Sequence, residues 1–187
     1  MIELREVGAG YPGKEILHGV SVAFSKGKVT GIIGPNGCGK TTLLKTAARL
    51  LKPLSGEVLL EGRLVSAFAP KEFARRVAVL PQSRAIPSIS VANFVMHGRF
   101  PYLGFPRTPV KADWEKVDEA LERIGIAVYR HRSLSELSGG ERQKVYLAML
   151  LAQDAEVLLL DEPTTYLDIN HQLELLGLVR KLNETGK

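Results

Sequence analysis

The sequence predicts an α/β fold built around one phosphate-binding loop, and three stretches carry that prediction. Gly34-Pro35-Asn36-Gly37-Cys38-Gly39-Lys40-Thr41-Thr42 fits the phosphate-loop pattern, two glycines five apart followed by Lys and Thr. Before it, Val29-Thr30-Gly31-Ile32-Ile33 is a short apolar segment bounded by glycines and reads as a buried strand. After it, Leu43, Leu44, Ala47, Ala48 and Leu51 fall at helical spacing. The loop therefore lies where its chemistry needs it, between a strand and a helix N-terminus. The third stretch, Val157-Leu158-Leu159-Leu160, is a short apolar strand that ends in Asp161-Glu162-Pro163.

From the N-terminus, Ile2 and Leu4 alternate with polar neighbours and predict a strand over residues 2–7. Val20, Val22 and Phe24 predict a second, and Tyr11-Pro12-Gly13-Lys14 a turn between them. Lys52-Pro53-Leu54-Ser55-Gly56 breaks the helix that follows the phosphate loop. Glu57-Val58-Leu59-Leu60, Gly62 and Leu64-Val65 predict a hairpin, residues 71–76 a short helix, and Val77-Ala78-Val79-Leu80 a strand ending at Pro81-Gln82. From Ser83 the composition changes. A short helix around residues 91–96 leads into Arg99-Phe100-Pro101-Tyr102-Leu103-Gly104-Phe105-Pro106, a loop rich in aromatics and proline. Such a loop either meets a partner or packs back on its own subdomain. Trp114, Val117, Leu121 and Ile124 then share one helix face, as ordinary core residues do. Leu137-Ser138-Gly139-Gly140-Glu141-Arg142-Gln143 opens an apolar-rich helix with Ser138 as N-cap. Its two glycines are expected to leave that helix N-terminus bare, a second place suited to an anion.

The 187 residues make one domain, or one with a small insertion; 45% hydrophobic and 24% charged residues are ordinary for a globular protein. No apolar run reaches the roughly 18 residues of a membrane span, and the first residues lack a signal-peptide pattern. One cysteine allows no internal disulfide and suits a reducing compartment. That cysteine, Cys38, is a small residue inside the phosphate loop, where a bulky thiol adduct would obstruct a nucleotide. The net charge of +5 comes from scattered basic residues, densest at Arg75-Arg76 and Arg130 to Arg132, with no aromatic-interleaved stripe. No nucleic-acid partner is expected.

The residue types fit phosphate chemistry. Phosphate oxygens must approach backbone N–H groups that a Cβ would block, and Gly34, Gly37 and Gly39 remove it. Lys40 can reach the β- and γ-phosphates, and Thr41 can give a hydroxyl to Mg²⁺. Two adjacent carboxylates after a buried strand seldom serve packing, since burying an unpaired charge is costly. Asp161 is assigned to Mg²⁺ and Glu162 to the attacking water. Gln82, at a strand end, either meets solvent or reaches a metal-bound water. Tyr11, on a loop before the phosphate site, either stacks on a base or packs on the surface.

In this order the motifs resemble those of the nucleotide-binding subunits of ATP-binding-cassette (ABC) transporters, over essentially the whole chain. Residues 34–42 resemble the Walker A loop, Gln82 the Q-loop, residues 137–143 the signature sequence with Glu141 in place of the usual Gln. Residues 157–162 resemble Walker B with the catalytic glutamate, Tyr166-Leu167-Asp168 the D-loop, and Tyr11 the aromatic that stacks on adenine. The resemblance implies a P-loop NTPase of ABC type: a mostly parallel core sheet, an antiparallel β subdomain, and a helical subdomain at about residues 84–152. It implies ATP hydrolysis with Glu162, Lys40 and Gln82 as catalytic residues, and Mg²⁺ held by Thr41, Gln82 and Asp161. ATP would meet Tyr11 and residues 34–42 of one copy and Ser138, Gly139, Gly140 and Glu141 of a second, as a homodimer. The partners it implies are transmembrane permease subunits and, indirectly, a periplasmic or extracellular binding protein, with the chain on the cytoplasmic face of the membrane. Thr164-Thr165-Tyr166-Leu167-Asp168-Ile169-Asn170-His171-Gln172 and Gly98-Arg99-Phe100-Pro101-Tyr102-Leu103-Gly104 look like importers of iron–siderophore, haem and cobalamin.

One feature departs from the family. A switch histidine follows the D-loop on a further strand there, whereas this sequence ends at Asn183-Glu184-Thr185-Gly186-Lys187, and His18, His97, His131 and His171 stand at other places. The resemblance thus implies a C-terminal truncation. It leaves open a cassette that binds ATP without turnover. The other alternative is a soluble ABC ATPase outside transport; the short interval from Gln82 to Leu137, without a heptad run, stands against it.

Overall fold

The computed structural model describes residues 1–80, 82, 87–164 and 168–184. The alternating N-terminal residues form β1 (Ile2–Tyr11), which folds back through the turn at residues 11–14 into β2 (Lys14–Phe24). The pair is antiparallel, with Ile2 opposite Phe24 and Leu4 opposite Val22. On its other edge β1 pairs antiparallel with β3 (Ser55–Leu60), Leu4 opposite Val58, and β4 (Arg63–Leu64) closes the sheet in the order β2-β1-β3-β4. Gly56, at φ 73°, lies so close to β1 that a Cβ would run into the carbonyls of Arg5 and Glu6.

Two short strands form a separate parallel pair. α2 (Pro70–Arg76), begun by a proline in its first turn, delivers the chain into β5 (Val77–Leu80). β6 (Val157–Leu160) runs beside it, Val77 next to Val157 and Leu80 next to Leu160. Their side chains alternate between two cores, as the two-residue period of a strand requires. Val77, Val79, Val157 and Leu159 join Ile2, Leu4, Val58, Leu60 and Phe73, with Ala47 of α1 (Lys40–Ala47). Ala78, Leu80, Leu158 and Leu160 join the helices α3 (Val91–Met96), α4 (Lys111–Ile124) and α5 (Gly139–Ala152). The parallel pair is therefore the partition between the two cores. Trp114, Val117, Leu121 and Ile124 pack into the helical one, the face predicted for them. α6 (Ile169–Glu184), for which the sequence reading drew no expectation, buries Leu175 and Leu182 against it. Among the described residues no helix is long and apolar enough to cross a membrane.

One predicted strand is overturned. The segment 29–33 is not a buried strand: Val29 is 61% and Ile33 97% exposed, and no described strand pairs with it. Apolar composition states what a segment gains by burial. A strand also needs neighbours for its N–H and C=O groups, and the parallel pairing among the described residues is that of β5 with β6.

The aromatic loop divides between its two readings. Leu103 is buried, and the Tyr102 hydroxyl donates to the Gln153 carbonyl at 3.1 Å while its ring lies under the Arg99 and Arg75 guanidinium groups. Arg99 is itself buried, donating to Asp113 at 3.1 Å and to the Ala152 carbonyl at 2.9 Å. Phe105, by contrast, is 99% exposed.

Candidate functional site

The site forms where β5 and β6 end and α1 begins. Functional groups gather at this end of parallel strands because the chain there leaves the sheet in adjacent loops. Gly37 and Gly39 have φ of 80° and 100°, left-handed values that let the loop curl; Gly39 is the N-cap of α1 and no side chain caps that helix. A Cβ on Gly39 would press on Leu17 and Ile16 at 3.0 and 3.1 Å, so the loop lies directly on β2. The Lys40 ammonium folds over the loop, donating to the carbonyls of Gly34 and Pro35 at 2.8 Å each. Cys38 is exposed, with its sulfur 4.0 Å from that ammonium.

Thr41, in the first turn of α1, donates its hydroxyl to Asp161 Oδ1 at 2.9 Å. Asp161 is only 4% exposed, and its N–H extends the strand ladder by donating to the Leu80 carbonyl at 2.9 Å. Glu162 follows with φ 46°, a left-handed conformation that costs a non-glycine residue about 1–2 kcal/mol. Its carboxylate accepts from Gln82 Nε2 at 2.6 Å. Gln82 and Glu162 meet because each follows a strand of the parallel pair. Residues 80 apart in sequence thereby become neighbours.

Several of these groups border a cleft of about 470 Å³, in the usual range for small-molecule sites. Tyr11, Asn36, Gly37, Gly39, Lys40, Thr41, Thr42, Gln82 and Glu162 line it, as do Lys14 and Ile16, which the sequence reading missed. Their one sequence signal is that they follow the turn after Tyr11 in the same hairpin. The Tyr11 ring has the Lys45 ammonium 5.9 Å from its centre.

The turn at residues 138–141 lies apart: none of its four residues lines the cleft. Ser138 is the N-cap of α5, as predicted, but the helix N-terminus is not bare. Ser138 Oγ accepts from the Glu141 N–H at 3.3 Å, and Glu141 Oε2 accepts from the Ser138 N–H at 2.7 Å, a complete capping box. The Tyr129 hydroxyl donates to the same carboxylate. That bond above all, then the Ser138 contacts, holds the Glu141 pKa down to about 2. The pattern Ser-x-x-Glu was in the sequence, and the glycines between drew attention from it. No described residue accepts from the N–H of Gly139 or Gly140.

Asp168 begins α6. Its Oδ1 accepts the His171 N–H at 3.0 Å, its Oδ2 lies 2.7 Å from His171 Nδ1, and the backbone bond first and the ring second lower its pKa. Tyr166 and Leu167, like Pro81 and Ser83, lie outside the described residues. Among the described residues no cluster of three or more His, Cys, Asp or Glu could hold a metal.

The family model described as "ABC transporter" matches residues 17–165. The chain is 44% identical to the iron(3+)-hydroxamate import ATP-binding protein FhuC of Bacillus subtilis, over 98% of this chain and 68% of that one. It is 46% identical to the achromobactin transport ATP-binding protein CbrD of Dickeya dadantii, over 97% and 68%. It is 43% identical to the ferric enterobactin transport ATP-binding protein FepC of Escherichia coli, over 93% and 65%. Among solved structures it superposes on a dimeric bacterial ABC transporter cassette with TM-score 0.84 at 28% identity, over 100% of this chain and 85% of that one. It superposes on a nucleotide-free ATP-binding cassette with TM-score 0.89 at 23% identity, over 100% and 78%, a likeness of fold.

Proposed function

This chain belongs to the ABC transporter family and is an ATPase subunit of it; on that premise we propose that it binds Mg²⁺–ATP in the Tyr11–Glu162 cleft and drives import of an iron chelate. The observation that carries the reading is the convergence of Lys40, Thr41, Gln82 and Glu162 around one cleft from three distant stretches of chain, with Asp161 hydrogen-bonded to Thr41.

The residues fit the ion. Thr41 Oγ1 and Asp161 Oδ1 are hard oxygens 2.9 Å apart, about the spacing of adjacent ligands around an octahedral Mg²⁺. Thr41 and Asp161 would hold it, with Gln82 reaching a metal-bound water, and the ion would neutralise charge on the transferred phosphoryl group. Lys40 trades its two loop carbonyls for phosphate oxygens. Glu162 orients and polarises the attacking water, and its hydrogen bond from Gln82 aims the carboxylate. Tyr11 offers its face to the adenine. Catalysis is then mostly positioning and charge neutralisation.

The turn at residues 138–141 is offered to the nucleotide of a second copy, through the N–H groups of Gly139 and Gly140 and the Ser138 hydroxyl. That a bacterial ABC transporter cassette of similar fold is dimeric supports the pairing of two copies. The unit at about residues 84–152 carries the permease-facing surface, with Phe105 as its exposed aromatic. The cargo class follows from the relatives, which are named for ferric hydroxamate, achromobactin and ferric enterobactin. Such a subunit works at the cytoplasmic face of the membrane. Glu162→Gln should retain ATP binding and lose at least about a hundredfold in turnover; unchanged turnover refutes the role of Glu162. Phe105→Ala should leave ATP turnover of the free subunit intact while weakening its co-purification with a permease.

A further inference from the structure

A side chain at Gly140 would collide with a ring on α6, and the atoms in the way are those of the His171 imidazole. A Cβ there would lie 2.5 Å from Cδ2 and 2.7 Å from Nε2 of His171, well inside contact. To make room the ring would have to leave its contact with Asp168. Nδ1 lies 2.7 Å from Asp168 Oδ2, and Asp168 is fixed in turn, because its Oδ1 accepts the His171 N–H and caps α6. Two ties flank the contact: Gln143 Nε2 donates to the Pro163 carbonyl at 2.6 Å, and Lys144 Nζ lies 2.7 Å from Glu174 Oε1. The first turns of α5 are thus fastened both to α6 and to the residue next to Glu162. Neither the phosphate cleft nor the capping box uses His171.

We propose that His171 is a positioning residue for turnover: its imidazole, set by Asp168, is the spacer that fixes the turn at 138–141 against the start of α6, beside the tie from Gln143 to Pro163. The turn offered to the partner's nucleotide and the carboxylate that activates water then keep one mutual geometry. The proposal rests on the ATPase reading above and adds a residue to it. His171 touches no substrate and acts through Gly140 on one side and Asp168 on the other. The contact matters because a displacement of about 1 Å in a positioned group can cost about a hundredfold in rate.

The test compares the full chain with Gly140→Ala, His171→Ala, His171→Asn and the double variant Gly140→Ala/His171→Ala, measuring turnover and binding of a fluorescent ATP analogue. His171→Ala should lower kcat about tenfold with KM for ATP unchanged, since the nucleotide cleft is untouched. Gly140→Ala should be slower still, and removing the ring in the double variant should recover part of that loss. His171→Asn, which keeps a donor for Asp168, should stay nearer the wild type than His171→Ala. Turnover of His171→Ala within about twofold of wild type, a rise in KM without a fall in kcat, or a double variant as slow as Gly140→Ala overturns the proposal. If the wild type binds the analogue but does not turn over, the ATPase reading fails separately. Thermal unfolding then judges the contact: Gly140→Ala must cost less in the His171→Ala background, and simple additivity overturns it.

Discussion

α1 begins at Gly39, in a left-handed conformation with no side chain capping the helix, whereas α5 begins at Ser138 inside a capping box closed by Glu141. Both starts are rich in glycine, and glycine alone does not make them alike. The residue three places after the N-cap decides: Thr42 at α1, Glu141 at α5. At α1 the positive end of the helix is augmented by the Lys40 ammonium, a full anion site. At α5 the same end already holds a carboxylate, whose pKa of about 2 keeps it charged at any physiological pH. A phosphate meeting α5 must therefore approach on the side of Gly139 and Gly140, away from Glu141. On the proposed function, one helix start takes the nucleotide and the other completes a site built elsewhere.

The largest expected effect separates the two starts directly. Lys40→Ala should lower turnover by about a hundredfold or more, because it removes the fixed charge over the loop. Ser138→Ala, in contrast, should leave ATP binding by the free subunit unchanged; a matching loss of affinity would erase the distinction. Glu141→Ala should then cost about 1 kcal/mol of stability by opening the capping box, read by chemical denaturation. Titration gives a smaller, more selective effect. The folded pKa of Glu141 is lowered from 4.5 to about 2, so what its carboxylate contributes through Tyr129 and then the cap is fully present above about 4.5 and disappears as the pH falls through about 2. Amide exchange in the first turn of α5 should accelerate across that window. The first turn of α1 carries no acidic residue and should show no such titration of its own. The smallest effect is expected of Glu141→Gln, which can still close a capping box: stability within a few tenths of a kcal/mol, with the acid titration gone.

Much of the molecule was legible because its signals are local. The period of two in residues 2–7 and 20–24, the apolar runs of β5 and β6, the stripe on α4 and the cap at Ser138 each report on neighbours a few residues away. The motif residues were legible for another reason: phosphate and metal chemistry admits few residue types. Lys14 and Ile16 were not legible, since neither belongs to a motif and they enter the cleft because β2 runs beside the phosphate loop. Segment 29–33 was misread because pairing depends on what lies beside a strand.

By itself the sequence determined most of the elements, segment 29–33 and α6 apart, and marked the glycine-rich loop, Asp161, Glu162 and Gln82 as candidates, because backbone preference and ligand chemistry are properties of the residues present. Only the tertiary structure decided which of them meet. The parallel register of β5 and β6 joins Gln82 to Glu162 and brings Asp161 to Thr41. The packing of α6 on α5 sets His171 against Gly140. Such contacts span tens of residues and follow from packing two cores against a shared strand pair, a condition no short window of sequence contains.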